Sequence, residues 1–245
     1  MSVLAKGVNR RIGRAMHTYD MLRDGDRVLI AVSGGVDSLV LAWLLLYWRR
    51  KAPIDYEVLA VHIDNGFGNV EHRQVAAQLD RLAVPYRVES TDFGRQALAA
   101  EDGRSTCYHC ARQRRHRLFE LARSEGFNKI ALGHHKDDII ETFFLNLLYG
   151  GNLSTMVPKQ EFFSGRLALI RPLAYLEKDE IRAIAAALAI APVKNPCPED
   201  RRSKRQEARR LVQSLYRLDS RAKANIFAAL ANIREGYLLR PAGTG

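Results

Sequence analysis

The sequence predicts an α/β fold, a doubly wound and mostly parallel sheet of five strands followed by a C-terminal helical extension. Three observations carry this. Short apolar runs alternate with stretches whose apolar residues recur at helical spacing, the pattern of strands joined by crossover helices. The first run stops at Ser33-Gly34-Gly35 and a helical pattern resumes at once. After Ala191 no strand-like run remains, and the chain reads as about two helices.

Residues 8–23 read as an opening helix. Arg27 to Val32 (RVLIAV) reads as a strand buried on both faces, and Ser38 to Lys51 as the helix after it. Tyr56 to Asp64 (YEVLAVHID) is a second strand ended by Asn65-Gly66, Val70 to Leu82 a helix and Pro85 to Glu89 a third strand. The polar stretch TDFGRQALAAEDGRST reads as a loop. Cys107 to Arg123 is a basic helix, Lys129 to Gly133 a fourth strand and Lys136 to Leu148 a helix. Leu167 to Arg171 is a fifth strand and Lys178 to Leu188 a helix. This divides the chain into an N-terminal helix (1–23), a nucleotide-binding α/β domain (24–190) and the helical extension (191–245).

With 245 residues, 47% of them hydrophobic, the chain can bury a sizeable core. Its longest apolar run, Leu39 to Trp48, is too short to span a bilayer, and the N-terminus has no apolar signal segment. Three cysteines do not make a disulfide scaffold, so the expectation is a cytoplasmic protein with no membrane partner. The formal net charge of +11 suits a polyanionic partner, and by itself suits a generally basic surface equally well.

A Ser-Gly-Gly turn between a strand and a helix has a chemical use. Glycine lets the backbone approach a ligand, and the helix start offers unpaired N–H groups and the positive end of its dipole. Ser33 and Ser38 add hydroxyl groups. This is a phosphate cradle, but it has neither the GxxxxGK[ST] nor the GxGxxG pattern. Downstream, Gly133 to Glu141 (GHHKDDIIE) again follows a strand and opens a helix. His134, Asp138 and Glu141 share a face there, which suits a metal cluster or simple N-terminal capping.

SGGVDS resembles the PP-loop of the ATP pyrophosphatases, which have the adenine nucleotide alpha-hydrolase-like fold, and ALGHHKDDIIETFFLNLLYGG resembles the second signature of the same family. The resemblance implies ATP binding by Ala31, Val32, Ser33, Gly34, Gly35, Asp37, Ser38, His62, Gly133 and His134, with Asp37 holding Mg²⁺. It makes Asp137 and Asp138 candidates for catalytic or Mg²⁺-binding work.

Cys107 and Cys110 form a CxxC, and Cys197 sits between two prolines in NPCPED. Buried thiols, a zinc site completed by His109 or His116, and a redox dithiol are alternative readings. STCYHCARQRR, FLNLLYGGNLSTMVPK and IRPLAYLEKDEI resemble the tRNA 2-thiocytidine synthetases, a PP-loop branch that carries a [4Fe–4S] cluster on three cysteines. The match runs from about Arg27 to Leu218. It implies Cys107, Cys110 and Cys197 as cluster ligands with one iron left open. Arg114 lies one helical turn beyond Cys110, a spacing that would face it toward the cluster as a catalytic residue stabilising negative charge. Cys197 is followed by Pro198, Glu199 and Asp200, not by the further cysteine of a PCxxC pattern, which fits the open iron. The extra zinc-finger cysteines of the related 2-thiouridine enzymes are absent.

Two basic runs accompany the cysteines. Arg112, Arg115 and Arg117 follow the CxxC, and Arg201, Arg202, Lys204, Arg205 and Arg209 lie within RRSKRQEARR. Solvated helix faces are the plain reading, and phosphate contact with RNA the functional one. The resulting expectation is an ATP-dependent tRNA sulfurtransferase. It adenylates the C2 oxygen of a pyrimidine, a cytidine of the anticodon loop, releases pyrophosphate, and then replaces AMP by sulfur. Its donor would be a cysteine desulfurase or free sulfide, and a homodimer is compatible with the sequence. The rival readings are a sulfur-insertion enzyme acting on a small molecule or cofactor, a cluster-free persulfide thiolase, an amine-adding tRNA ligase and a non-catalytic iron–sulfur RNA sensor.

Overall fold

Residues 3–67, 71–103, 105–193, 197 and 204–239 are described by a computed structural model of the chain. Two compact units form, one of residues 1–139 with 156–203, the other of residues 140–155 with 204–245.

The first unit is built on strands β1 (Asp26–Ala31), β2 (Tyr56–Asp64), β3 (Tyr86–Ser90), β4 (Lys129–Ala131), β5 (Lys159–Phe162) and β6 (Leu167–Ile170). Their order is β3-β2-β1-β4-β6-β5, parallel throughout except for the β5–β6 pair. The helices of this unit are α1 (Lys6–Thr18), α2 (Val36–Arg49), α3 (Glu71–Arg81), α4 (Phe93–Leu98), α5 (Thr106–Ser124) and α7 (Lys178–Ala187). Helix α6 (Lys136–Leu145) begins in it.

Strand alternation splits the core into two layers. Val28 and Ile30 of β1 pack with Leu39, Leu41, Leu45 and Ile181 on one face of the sheet. Leu29 packs with Ile130, Leu121 and Phe127 on the other. A sheet covered on both faces explains why β1 reads as a continuous apolar run.

The parallel α/β sheet of the sequence reading is present with a sixth strand, so the expected count of five is corrected. Lys159, Gln160 and Glu161 are poor strand formers, and β5 pairs on one side only, at the sheet edge. Other differences are local. The polar stretch 91–106 contains the short helix α4. Helix α1 stops at Thr18, because Asp20 takes a left-handed conformation (φ 46°) and Met21 donates back to the Met16 carbonyl at 2.9 Å. Helix α6 ends at Leu145 in a wide π turn over Asn146–Gly150, closed by Gly151 at φ 61°.

In the second unit, α8 (Lys204–Leu218) and α9 (Ala222–Ala229) follow, then a short 3₁₀ turn (Glu235–Tyr237). Arg209 forks onto the buried Glu141 carboxylate at 2.7 and 3.0 Å, and Tyr149 bonds Glu207. Among the described residues no helix is long and apolar enough to cross a membrane.

The starts of β1 and β4 are clamped together. Buried Asp26 accepts from the Arg23 N–H and from Asn128 Nδ2, both at 2.7 Å, while Lys129 Nζ lies 3.3 Å away. Asn128 Oδ1 accepts in turn from the Arg27 N–H at 2.9 Å. Removing the buried carboxylate leaves two part-buried donors and a lysine without their acceptor. Asp26→Ala should therefore cost about 3 kcal/mol in urea unfolding, whereas Arg23→Ala, which keeps the backbone N–H and loses only the exposed pair with Asp20, should leave the urea midpoint nearly unchanged.

Candidate functional site

The carboxyl ends of β1 and β4 are neighbours in the sheet, and the chain reverses its direction of winding between them. Ligands of doubly wound sheets bind at such a point. The turn after β1 takes a shape that only glycine allows at Gly34. Its φ is +86°, and a Cβ there would lie 2.9 Å from Val75 Cγ2 and 3.3 Å from Val193 Cβ. The Gly34 carbonyl accepts from the Val193 N–H at 3.0 Å, which ties the turn to the segment after α7. Ser38 Oγ accepts from the Ser33 N–H at 3.2 Å and donates to the Gly35 carbonyl at 2.8 Å. Gly35 caps α2, so the N–H groups of its first turn lack intrahelical partners.

Two further elements close on this turn. A Cβ on Gly133 would lie 3.0 Å from both the Asp37 carbonyl carbon and the Ser38 nitrogen. The chain leaving β4 thus lies against the backbone of α2. From β2, buried His62 reaches across with Nδ1 2.8 Å from the Val32 carbonyl. A carbonyl only accepts, so Nδ1 carries the hydrogen and Nε2 keeps its lone pair. Burial pulls the His62 pKa down, with the charge of Arg114 adding to the effect.

Around the starts of α2 and α6 stand three carboxylates. Asp138 Oδ2 accepts from the His135 N–H at 3.1 Å, which caps α6. The capping reading of GHHKDD thereby finds its bond. Asp137 Oδ2 accepts from the Lys178 N–H at 2.9 Å, and Asp37 takes Lys178 Nζ on both oxygens at 2.7 and 2.6 Å. The imidazole of His135, 4% exposed, lies among all three, 3.3 Å from Asp138, 3.6 Å from Asp137 and 3.8 Å from Asp37. His134 accepts on Nδ1 from Arg171 Nε at 3.2 Å. Burial lowers the Arg171 pKa to about 10, with nearby Arg115 adding to it.

The cysteines gather on the same unit. Helix α5 starts at Thr106 behind Ser105, whose hydroxyl accepts from the Tyr108 N–H at 3.2 Å. Cys107 is exposed, Cys110 is buried with its thiol 3.9 Å from the Phe93 carbonyl, and Cys197 is half-buried; none is in a disulfide. Burial pushes the Cys110 thiol up, Arg114 pulls it down, and Cys197 and Cys107 push it up further. Among the described residues, no three of His, Cys, Asp or Glu are grouped tightly enough for one metal ion. Thiol sulfurs are donors that both zinc and iron–sulfur clusters take, and the sequence holds no fourth cysteine. His109 and His116, the candidate fourth zinc ligands, face Asp102 at 2.8 Å and Glu120 at 3.4 Å.

The basic residues divide. Arg112 and Arg115 are exposed, and Arg112 lines a groove of about 470 Å³ with Phe93, His109, His116 and Arg117. Arg117 is held by Glu89 at 2.7 Å and Glu120 at 3.5 Å. In the second unit Arg209 is fixed by Glu141, Arg205 donates to Thr142 Oγ1 at 3.1 Å and Lys204 lies 4.9 Å over the Tyr149 ring. Arg201 and Arg202 lie outside the described residues. The sequence reading passed over His135, Lys178 and Arg171, although Lys178 and Arg171 stand in IRPLAYLEKDEI and His135 in GHHKDD.

Known proteins resemble this chain in sequence and in fold. A family model described as the PP-loop domain matches residues 4–215. The tRNA-cytidine(32) 2-sulfurtransferase of Alkalilimnicola ehrlichii is 36% identical over 97% of this chain and 76% of its own length. That of Syntrophotalea carbinolica is 37% identical over 96% and 92%. Among solved structures, the U34-tRNA thiolase NcsA from Methanococcus maripaludis with its [4Fe-4S] cluster has the same fold (TM-score 0.75, 21% identity, 92% of this chain and 78% of that one). The NH3-dependent NAD synthetase of Campylobacter jejuni is a more distant match in fold (TM-score 0.53, 16% identity, 98% and 99%).

Three outcomes follow. Gly34→Ala places a Cβ in a left-handed turn against two valines and should cost about 2 kcal/mol in stability. In cluster-free protein, iodoacetamide should alkylate exposed Cys107 well before buried Cys110, read by peptide mass spectrometry. Finally, the unfolded chain protonates His62 more readily than the folded one does. Its contribution to stability is complete above the ordinary histidine pKa and declines as pH falls below it, so His62→Gln should flatten the stability–pH curve on the acid side.

Proposed function

The chain belongs to the PP-loop family, in the branch of the tRNA-cytidine 2-sulfurtransferases, and from that premise we propose that it is an ATP-dependent tRNA thiolase. Its substrate is a tRNA cytidine, whose C2 oxygen it replaces with sulfur. One observation carries the reading. Gly133 sets the start of α6 against the start of α2, where Ser33–Ser38 forms an anion cradle, and Cys107, Cys110 and Cys197 belong to the same compact unit.

In this reading the triphosphate lies on Ser33, Gly34, Gly35 and Ser38 and on the first-turn N–H groups of α2. Ala31, Val32, His62, Gly133 and His134 line the rest of the nucleotide. Asp37 would hold Mg²⁺, which neutralises the phosphates, with Asp137 and Asp138 beside it. The cytidine C2 oxygen attacks the α-phosphorus, the bond to the bridging oxygen breaks, and pyrophosphate leaves. Backbone N–H groups and Arg114 offset the charge that develops there. The former C2 oxygen departs later within AMP, as the C2–sulfur bond forms. Cys107, Cys110 and Cys197 would hold a [4Fe–4S] cluster, which when bound supplies that sulfur. The name of the NcsA structure, a thiolase with its [4Fe-4S] cluster, supports this assignment.

The groove along α5 and exposed Arg112 and Arg115 suit a phosphodiester backbone, and an unstacked base is what a protein can read in RNA. Residues of the second basic run add phosphate contacts. The sulfur reaches the protein from a desulfurase or from free sulfide.

Nucleoside mass spectrometry of tRNA tests the proposal. Cells lacking the protein should lose 2-thiocytidine alone; an unchanged profile would leave a small-molecule sulfur acceptor. Cys197→Ala should abolish thiolation while leaving ATP binding intact, and full activity in that variant would refute the three-thiolate scheme. Arg114→Gln should lower kcat by about 10²-fold, the usual cost of removing one transition-state donor, with little change in ATP affinity.

A further inference from the structure

Lys178 occupies a place the proposed chemistry leaves unexplained. Its backbone N–H holds Asp137 at 2.9 Å, and its ammonium spans both oxygens of Asp37 at 2.6 and 2.7 Å. One residue thus brackets the two motifs from a third element, the first turn of α7. Its neighbours reinforce the bracket: Lys136 donates its N–H to the Leu176 carbonyl at 2.9 Å and its Nζ to Glu177 at 2.9 Å. Glu177 and Glu180 cap α7 reciprocally.

The carboxylate that Lys178 covers is the one assigned to a divalent cation. Asp37, Asp137 and Asp138 stand around His135, whose buried Nδ1 makes no hydrogen bond among the described residues. An ammonium that spans both oxygens occupies the chelating edge of the carboxylate, the edge a divalent cation would take bidentately. A cation at that edge would sit against the ammonium, so the two compete for it. The Lys178 side chain is about one-third exposed, so the stem can swing, and α7 fixes only its backbone.

We propose that Lys178 is an exchangeable counter-ion: it neutralises Asp37 when the nucleotide is absent, then moves onto the phosphates as the divalent cation takes its place. This rests on the assignment of the Ser33–Ser38 turn to ATP. Each carboxylate or phosphate keeps a cation beside it at both stages. Lysine neutralises the carboxylate first; later the metal sits on the carboxylate and lysine offsets part of the charge of the incoming triphosphate. Lys178 is then a positioning residue that makes metal binding depend on nucleotide binding.

The exchange has an unusual signature, because removing Lys178 should move two affinities in opposite directions. Mn²⁺ binding to the nucleotide-free protein is read by electron paramagnetic resonance, and α,β-methylene-ATP binding by calorimetry. Lys178→Met keeps the stem and the backbone N–H, and thermal melting verifies its fold. It should bind Mn²⁺ about fivefold more tightly, as loss of a half-exposed ion pair allows, and the nucleotide analogue about fivefold more weakly. Lys178→Arg should resemble the wild type. Arg182→Met removes an exposed charge of the same helix that pairs with Asp179 and not with Asp37, and should leave both affinities near wild type.

Unchanged Mn²⁺ affinity in Lys178→Met would overturn the exchange, as would the same effect in Arg182→Met. Asp37→Asn separates the two levels of the argument. If it abolishes Mn²⁺ binding while Lys178→Met changes nothing, only the role of Lys178 falls. If it leaves Mn²⁺ binding intact, the assignment of Asp37 falls and the exchange with it.

Discussion

Two neighbouring parallel strands at the centre of the sheet, β1 and β4, end side by side at their carboxyl ends, and Gly133 lets the chain leaving β4 lie against the backbone where α2 begins. The described site depends on that approach. A side chain at position 133 would meet the backbone of Asp37 and Ser38, whose atoms cannot turn aside. The opposite ends of the same strands are clamped by Asp26 and Asn128. The register between them is thus fixed at both ends, and the two helix N-termini are brought together by the sheet and not by their loops. Helix starts side by side concentrate positive potential and unpaired N–H groups, a setting for an anion.

Such a place needs its carboxylates controlled. Asp138 is spent on capping α6, Asp137 on the α7 backbone, and Asp37 on the Lys178 ammonium. Arg171, buried beside His134, adds a cation that burial has made easier to deprotonate than usual. On α5, Arg114 lies one helical turn beyond Cys110 and is half-buried, whereas Arg112 is exposed.

Much of this was legible because it is local. SGGVDS, GHHKDDIIE and the CxxC each place chemistry within a few residues, next to a strand end or a helix start that apolar patterning marks. The parallel sheet was legible for the same reason, since its buried strands are continuous apolar runs. What was hidden is long-range or weakly patterned. Strand β5 has polar residues on an edge, and α4 is a single short helix in a polar stretch. The partner of Asp37 lies 141 residues away, and nothing in the spacing of IRPLAYLEKDEI says that its lysine turns toward the Ser-Gly-Gly turn. The basic runs were legible as charge but not as contacts. Arg117 and Arg209 each have a carboxylate partner on another element, Glu89 and Glu141, that charge counting cannot reveal.

The central claim is that the nucleotide site and the cysteine site serve one reaction, in which the base oxygen leaves on phosphorus. A tRNA carrying ¹⁸O at the C2 position of its cytidines tests this most directly, with anaerobically reconstituted protein, ATP and sulfide. Mass spectrometry of the products should find one ¹⁸O in AMP for each 2-thiocytidine formed, and none in pyrophosphate. Thiolated tRNA accompanied by unlabelled AMP would contradict it, because the oxygen would then have left by a route that ATP does not activate.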